Sequence, residues 1–461
     1  MSRTSTERRP RSDAAFRRAL AITLVALSVA CLLLLGASYL QGPRLEDAQV
    51  DVVRVTSADD QQLRLFANQT VEPVTASQVH IEPAVPFTVS SEGDLIAVQF
   101  GARLQYGTEY LVRVDDVAST YTGRTSAIEH RFTTTQPQVF WLDRGQPDDT
   151  ILRSTLDGQG GEAVYSAAGI QDFALVDDLL AVVTVTAQRT NQLALVRPGD
   201  VILENVLLPE EGVIQQLAAS AGTLGFAFSS ADAGPGQANA STLYTLDLGG
   251  VRELRPVLGL DGEPMEVLGW GFVPGTARIA ALTTDLTLVS VDTSSGAVLP
   301  LGQYEEFGAV SLDGTTVIVS NQFAPRVVDL VTGDEQPIDP SPVEGRRAFS
   351  GASQLLPDGT RLGKALLADE TGTRFSTLLV HDDGTAADIV YRTVEDRGSI
   401  GEISISPNGQ YVAIETIPDT TVSVSDGYYY DARSTSVTTV IVEIATGRQV
   451  RSFEGFGLLW D

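Results

Sequence analysis

The chain has 461 residues, enough for two or three domains of ordinary size. Hydrophobic residues make up 43% and charged residues 20% of it, which excludes a wholly disordered chain because so much apolar material can bury a core. A formal net charge of −28 makes nucleic acid a poor partner, since its phosphates require basic groups. Cys31 is the single cysteine, so no intrachain disulfide is possible. No histidine or cysteine pair has zinc-site spacing, and we expect neither a metal nor a cofactor.

A basic segment followed by a long uncharged one opens the chain. Residues 1–18 contain six arginines and two acidic residues, and residues 19–40 contain no charged residue. At about 1.5 Å per residue, a helix over residues 19–40 would cross a bilayer core of about 30 Å. The positive-inside rule then predicts a cytoplasmic tail over 1–18, one transmembrane helix over 19–40 and extracytoplasmic domains after them, so that the protein is integral to the cell membrane.

Two other interpretations of this segment stay open. A cleaved signal peptide would have a shorter apolar region, but Gly36, Ala37 and Ser38 form an imperfect cleavage site. A lipoprotein would be modified at Cys31, although Ser28 stands where such motifs carry an aliphatic residue. The uncleaved anchor is favoured because the apolar run is too long for a signal peptide.

A first domain is predicted over residues 48–136, after a polar linker over 41–47. Alternating apolar and polar residues predict short antiparallel strands, a pattern typical of a β-sandwich. The predicted strands are 50–55, 62–67, 80–85, 94–100, 109–114 and 129–134.

Three pieces of this domain resemble bacterial Ig-like domains of the SbsA type. They are residues 63–83, the L-x-x-G-T-x-Y-x-V-x-V strand at 104–114 and the F-T-T ending at 129–134. The resemblance implies an Ig-like β-sandwich that serves as a spacer or adhesion module. It also implies that Tyr110 packs in a corner of the domain and has a structural role.

Residues 137–461 contain a degenerate repeat. A strand followed by a turn recurs seven times, with copies beginning at residues 150, 192, 242, 286, 326, 376 and 438. Six complete units of two further strands lie between the copies, and the seventh unit is split between residues 139–143 and 456–461. Four strands in each repeat predict a seven-bladed β-propeller in which the first and last strands share one blade.

One repeat carries a motif in addition to the pattern. Ser406, Pro407, Asn408 and Gly409 resemble the S-P-D-G element of TolB-like and WD-type propellers. The resemblance implies a platform that binds a protein or another ligand. Lys364 is the only lysine, and this arginine bias suggests a GC-rich coding genome, so that the chain resembles an anchored envelope protein of an actinobacterium.

An insertion over residues 419–437 lengthens the last repeat. A long insertion on a rigid scaffold is a common place for function, and clustered tyrosines supply a large contact area with polar tips. We therefore predict that the insertion contacts an envelope protein or glycan. The alternative is a hairpin extension whose tyrosines pack on the neighbouring blade. The predicted binding residues are Tyr428, Tyr429, Tyr430, Asp431 and Arg433.

Five carboxylates are candidates for a metal on the propeller axis, as in propeller lactonases and phytases. They lie near the starts of predicted inner strands or in the closing blade, and their alternative is to be solvated loop charges. The candidates are Asp143, Asp172, Glu266, Glu306 and Glu402.

No enzyme motif accompanies these carboxylates. The chain has no G-x-S-x-G nucleophile motif, no H-E-x-x-H motif and no phosphate-binding glycine loop. His381 is the only histidine of the propeller segment. We therefore predict a non-catalytic, membrane-anchored binding or scaffold protein outside the cytoplasm. The alternative is a metal-dependent propeller hydrolase or lyase.

Overall fold

A computed structural model describes residues 12–39, 41–145, 147–158, 160–199, 203–231, 240–250, 252–322, 324–394 and 397–461. The chain divides into two compact units. One comprises the residues up to Val55 and Asp59–Thr134, and the other comprises Thr56–Ala58 and Thr135–Asp461.

The first element is helix α1, Ser12–Tyr39. Alanine and leucine dominate its sequence, and both favour helix. Among the residues that the structure describes, no helix is both long and apolar enough to cross a membrane. The side chain of Cys31 and residue 40, the last residue of the predicted span, lie outside the described part of the chain.

The rest of the first unit is a β-sandwich of two antiparallel sheets, with strand orders β1-β2-β5-β4 and β3-β6-β7. Alternate residues of both sheets fill one core, in which Leu63, Leu65, Val98 and Val112 are fully buried. The strands are β1 (Leu45–Gln49), β2 (Gln62–Ala67), β3 (Val79–Glu82), β4 (Phe87–Glu92), β5 (Leu95–Phe100), β6 (Glu109–Ala118) and β7 (Thr125–Thr133). Helix α2 (Arg54–Ser57) and a 3₁₀ turn (Ala76–Gln78) complete the segment.

The predicted strand at residues 50–55 is wrong. Asp51 Oδ1 accepts hydrogen bonds from the backbone N–H groups of Val53 (3.1 Å) and Arg54 (3.0 Å), which starts α2 at Arg54. The edge strand is β1 instead, and it begins inside the predicted linker 41–47. Strand β4 was not predicted, although Phe87 and Val89 are half-buried and alternate with the exposed Thr88 and Ser90.

Tyr110 has the structural role that its motif implies. It is buried, and its ring stacks on Phe132 with the ring centroids 5.7 Å apart. Its hydroxyl accepts a hydrogen bond of 3.0 Å from the backbone N–H of Gln105.

Among its described residues, the second unit has 28 short strands. The first group is β8 (Gln138–Asp143), β9 (Asp149–Thr155), β10 (Glu162–Ala167), β11 (Ile170–Val176), β12 (Leu179–Val185), β13 (Asn191–Val196), β14 (Leu203–Val206), β15 (Gly212–Ser220), β16 (Thr223–Ser230), β17 (Thr242–Asp247), β18 (Leu254–Pro256), β19 (Val267–Val273), β20 (Arg278–Thr283) and β21 (Thr287–Asp292). The second group is β22 (Val298–Gln303), β23 (Glu306–Val310), β24 (Thr316–Asn321), β25 (Ala324–Asp329), β26 (Glu335–Pro337), β27 (Phe349–Leu355), β28 (Arg361–Ala368), β29 (Phe375–Asp382), β30 (Ala387–Arg392), β31 (Ser399–Ile405), β32 (Tyr411–Ile417), β33 (Thr438–Glu443), β34 (Arg448–Glu454) and β35 (Phe456–Trp460).

These strands form seven four-stranded antiparallel sheets, the blades of a β-propeller. Six blades are consecutive runs of four strands, from β11–β14 to β31–β34. The remaining blade, which we call blade 1, has the order β35-β8-β9-β10 and so joins the last strand to the first three. Phe456 pairs with Leu142, and Trp460 pairs with Val139. The predicted split blade is confirmed.

Local sequence explains why each blade folds back so tightly. The turns between first and second strands place Gly359 at φ +82° and Gly409 at φ +71°, a backbone conformation that side chains disfavour. The second strands, such as β12 and β32, are buried on both faces because they lie between neighbouring blades, and their sequences are correspondingly apolar.

In every blade the first strand lines the axis and is bulged against the second. A bulge bends the strand and re-aims its side chains, here at the channel mouth. The shifts lie between Ile170 and Asp172, Gln215 and Ala218, Val267 and Gly269, Phe307 and Val310, Ser350 and Ser353, Ile400 and Ile403, and Phe456 and Leu459.

The propeller has two distinct faces. Connections between blades, and those between second and third strands, emerge on the face that carries residues 418–437. We call this the insertion face. Hairpins between first and second strands, and between third and fourth strands, form the opposite face, which we call the turn face.

Candidate functional site

The candidate site is a cavity of about 700 Å³ at the channel mouth on the insertion face. The first strands of four blades, β11, β15, β31 and β35, form its wall, and the insertion 419–437 forms its rim. The polar and charged side chains that line it include Asp172, Gln215, Glu402, Glu415, Asp431 and Arg433.

The insertion folds as a short hairpin. The backbone N–H of Asp426 donates to the carbonyl of Arg433 (2.9 Å), and that of Thr435 donates to the carbonyl of Val424 (2.8 Å). These bonds connect the two sides of the loop, and they hold its tip, residues 427–432, over the cavity rim.

Arg144 ties this hairpin to the ring. Its side chain is only 4% exposed and lies immediately after β8. Its guanidinium donates to Asp426 Oδ2 (2.7 Å) and to the carbonyls of Asp431 (2.9 Å), Gln171 (2.9 Å) and Ile170 (3.2 Å). One buried cation therefore joins blade 1, the first strand of the next blade and the insertion.

Tyr428 reinforces the same junction. Its hydroxyl donates to Asp149 Oδ2, and the Arg144 guanidinium carbon lies 3.9 Å from the centre of its ring. Burial and the neighbouring Asp149 raise the pKa of the Tyr428 phenol. Tyr428 is therefore half-buried against blade 1, as the packing alternative describes.

Tyr429 and Tyr430 lie differently. The Tyr429 side chain is 60% exposed, with the guanidinium of Arg189 4.4 Å from its ring centre. Tyr430 is half-buried and lines the cavity, and its ring meets that of Tyr429 edge-on at 4.7 Å. The exposed ring of Tyr429 and the cavity-facing ring of Tyr430 are available for contact.

Arg433 lies on the insertion, and its side chain lines the cavity. Its guanidinium donates to Glu415 Oε2 (3.0 Å), Glu402 Oε1 (2.9 Å) and Asp431 Oδ2 (3.1 Å). Glu415 is buried on β32, and its other oxygen accepts a 2.8 Å bond from the backbone N–H of Gly457. Burial raises the pKa of Glu415, against this hydrogen bond and the charge of Arg433.

Asp172 lies on the wall of the cavity with a single hydrogen bond described, from the backbone N–H of Phe173 (2.8 Å). Desolvation raises its pKa to about 7, and the charges of Asp431 and Glu402 add to this effect.

Lys364, the only lysine, is half-buried nearby. Burial lowers its pKa, and Glu402 and Glu415 oppose that shift. The cavity is thus rich in carboxylates that are only partly neutralised.

The raised pKa of Asp172 predicts a pH-dependent stability. Because the folded-state pKa of about 7 exceeds the usual 3.8, the stability from protonated Asp172 is fully present below the usual pKa and is lost as pH rises through about 7. We expect the stability difference between the wild type and Asp172→Asn to fall over that range in urea titrations. The exposed Asp178→Asn should leave the pH profile unchanged. Parallel wild-type and Asp172→Asn profiles would contradict the shift.

Two of the five candidate carboxylates, Asp172 and Glu402, meet in the cavity. The other three do not line it. Glu266 and Glu306 lie at their own strand ends, where they accept hydrogen bonds from Thr284 (3.5 Å) and Ser320 (2.8 Å). Asp143 ends β8, and burial raises its pKa. Within the described residues, no three His, Cys, Asp or Glu side chains are grouped so that they could hold a metal ion.

Sequence reasoning missed Arg144, Glu415 and Lys364. A signal existed for Glu415, since it interrupts the apolar strand YVAIETI with a charge. None existed for Arg144, because its main partner, Asp426, lies 282 positions later.

Comparison with known proteins gives no family. No protein family matches the chain, and no curated protein matches it. Among solved structures it is similar to TolB from Acinetobacter baumannii, with 13% identity over 77% of this chain and 80% of that chain and a TM-score of 0.39. It is also similar to the WD40 domain of Toxoplasma gondii coronin, with 12% identity over 68% and 75% of the chains and a TM-score of 0.41.

A third similar structure is dihydro-heme d1 dehydrogenase NirN in complex with DHE. It has 14% identity over 70% of this chain and 74% of that chain, and a TM-score of 0.40. Because these TM-scores are low, the likenesses carry no functional argument. The order of strands in the seven sheets identifies the propeller.

Proposed function

We propose that this protein is a non-catalytic binding or scaffold protein that presents the insertion face of its propeller to an envelope protein or glycan. One observation carries the proposal: buried contacts hold the insertion against the propeller, while side chains at its tip are exposed to solvent. Arg144 and Tyr428 anchor it through buried contacts, and Tyr429 and Asp431 remain exposed. A rigidly held loop loses little conformational entropy when it binds a partner.

Location is part of this proposal. The uncharged run at 19–40 after an arginine-rich tail supports a single-pass anchor with a cytoplasmic N-terminus. The Ig-like sandwich then serves as a spacer, and the propeller acts outside the cytoplasm. The net charge of −28 keeps such a protein from binding anionic surfaces without specificity.

Tyr429→Ala tests the proposed contact. We expect it to lower recovery of a cross-linked envelope partner by the full-length protein in detergent by about tenfold, because exposed aromatic residues dominate binding interfaces. The matched control is Tyr121→Ala in the sandwich, which removes a tyrosine that is 77% exposed and should leave recovery unchanged. Equal recovery with Tyr429→Ala and the wild type would contradict the chosen contact residue.

A metal-dependent propeller hydrolase or lyase is the second candidate. Asp172 favours it, because a carboxyl group with a pKa of about 7 suits general acid–base catalysis. Calorimetric titration of the full-length protein with calcium discriminates between the binding protein and the metal-dependent enzyme. Stoichiometric binding that Glu402→Gln abolishes would favour the enzyme, and the absence of heat would favour the binding protein.

A further inference from the structure

Exposed apolar side chains are distributed unevenly over the propeller. In the part of it that the structure describes, the large hydrophobic side chains that are exposed lie mostly on the insertion face, and the exceptions are Leu299 and Val331. An asymmetry of this kind marks an interaction surface, since scattered single residues would show no preference between faces.

Three of these side chains form one contiguous cluster, which we call the apolar cluster: Phe349, Leu366 and Phe375. Phe349 pairs with Leu366 across β27 and β28, and its ring centroid lies 6.3 Å from that of Phe375. Their exposed fractions are 65%, 43% and 43%. The deeper half of the same sheet surface, with Leu362 and Leu379, packs on the next blade. The apolar surface therefore continues outward beyond the point where blade-to-blade packing stops.

The apolar cluster lies beside the cavity. Lys364 is two residues before Leu366 on β28 and shares its sheet face, because side chains alternate along a strand. The charge of Lys364 interacts with Glu402 and Glu415. A ligand that covers the cluster thus reaches the carboxylates at the channel mouth.

Charge sets the chemistry of that ligand. Glu402 and Asp431 are exposed at the mouth, and Arg433 is the only cation lining the described cavity. The insertion-face loops 207–211, 257–266 and 284–286 contain carboxylates and neither arginine nor lysine.

The exposed charges around the cluster itself are balanced, and the half-buried Lys364 interacts with Glu402 and Glu415. Exposed Arg347 and Arg374 are offset there by Asp369 and Glu370. Attraction for a cation is consequently concentrated at the channel mouth, and the cluster offers apolar contact.

We propose that the apolar cluster and the channel mouth together bind a segment of a partner protein in which arginine or lysine lies near aromatic or aliphatic residues. The apolar side chains cover Phe349, Leu366 and Phe375, and the cation enters the cavity beside Glu402. Complementary charge fixes the register of the segment, and apolar burial supplies most of the affinity. This inference rests on the proposed function and names the class of partner.

Fluorescence anisotropy with short synthetic peptides tests the inference on the full-length protein in detergent. One peptide combines Arg with Phe and Leu, a second combines Glu with Phe and Leu, and a third combines Arg with Ser. We expect the first to bind about tenfold more tightly than either of the others. Phe349→Ser and Glu402→Gln should each weaken it about tenfold, and Val331→Ser on the turn face should not.

Several results would overturn the inference. If the Arg–Ser peptide binds as tightly as the peptide of Arg, Phe and Leu, charge alone accounts for the affinity. If the Glu peptide binds as tightly, apolar contact alone accounts for it. Tighter binding of a neutral oligosaccharide, or self-association of the protein lost in Phe349→Ser, would assign the surface to another occupant. If Tyr429→Ala abolishes partner capture but the peptides show no preference, this inference fails and the proposed function stands. If capture is also unaffected, both fail.

Discussion

Replacing Arg144 by methionine should lower the free energy of unfolding of the propeller by about 3–5 kcal/mol, the cost of leaving one partner of a buried ion pair uncompensated. The Asp426 side chain is only 10% exposed, so its carboxylate would lose Arg144 without gaining water. Three backbone carbonyls would lose their donor as well. Urea unfolding followed by tryptophan fluorescence measures this, because all three tryptophans, Trp141, Trp270 and Trp460, lie in the propeller.

Two further variants show whether the loss of stability in Arg144→Met comes from the buried ion pair. Arg189→Met removes an exposed arginine that lies over Tyr429, and it should change stability by less than about 0.5 kcal/mol. Combining Arg144→Met with Asp426→Asn should recover part of the loss, since no buried charge is then left unpaired. An unchanged midpoint for Arg144→Met would mean that the insertion is not held through this contact.

The same variant bears on the proposed function. If Arg144 fixes the insertion, Arg144→Met should weaken partner capture even without urea and at a temperature at which the propeller remains folded. Tyr429 would keep its chemistry but lose its fixed position, so affinity would fall through the entropy of ordering the loop. Capture that depends on Tyr429 but not on Arg144 would separate the contact from its support.

The blades could be predicted from sequence because their determinants are local. Each repeat encodes its own alternation and turn glycines, as at Gly359 and Gly409, within about fifty residues. Local signals also explain the failure at residues 50–55, where β-branched residues suggested a strand but Asp51 caps a helix. Asp51 lies within three residues of the N–H groups that it caps, so the start of this helix is a local signal as well.

The site was only partly predictable because its contacts span the chain. Nothing within the insertion distinguishes Tyr428 from Tyr429, yet the first is anchored and the second exposed. The difference comes from Asp149, which lies 279 positions before Tyr428 and is brought to it by ring closure. Asp172 and Glu402 were predicted as axial carboxylates, but their nearness to Arg433 depends on the same closure.

Phe456→Ala should destabilise the propeller by about 3–5 kcal/mol, because truncating a buried phenylalanine removes apolar burial and leaves a cavity. Phe456 is buried in one cluster with Phe140, Leu142 and Ile170. It stands on the strand that pairs the end of the chain with β8, so its loss weakens ring closure as well as local packing. Leu299→Ala, on the outermost strand of its blade, is the control and should change stability by less than about 0.5 kcal/mol.

Hydrogen exchange distinguishes the two contributions to the Phe456→Ala effect. If closure depends on Phe456, the amides of β8 and β35 should exchange faster in the variant than those of a distant blade such as β19–β22. Uniform acceleration across all blades would mean that the ring opens only by global unfolding. Since Phe456 also lies under Arg144 and Arg433, at 4.8 Å and 5.1 Å from their guanidinium carbons, opening at this blade would release the insertion too. Closure of the propeller and the position of the insertion 419–437 therefore depend on the same buried phenylalanine side chain.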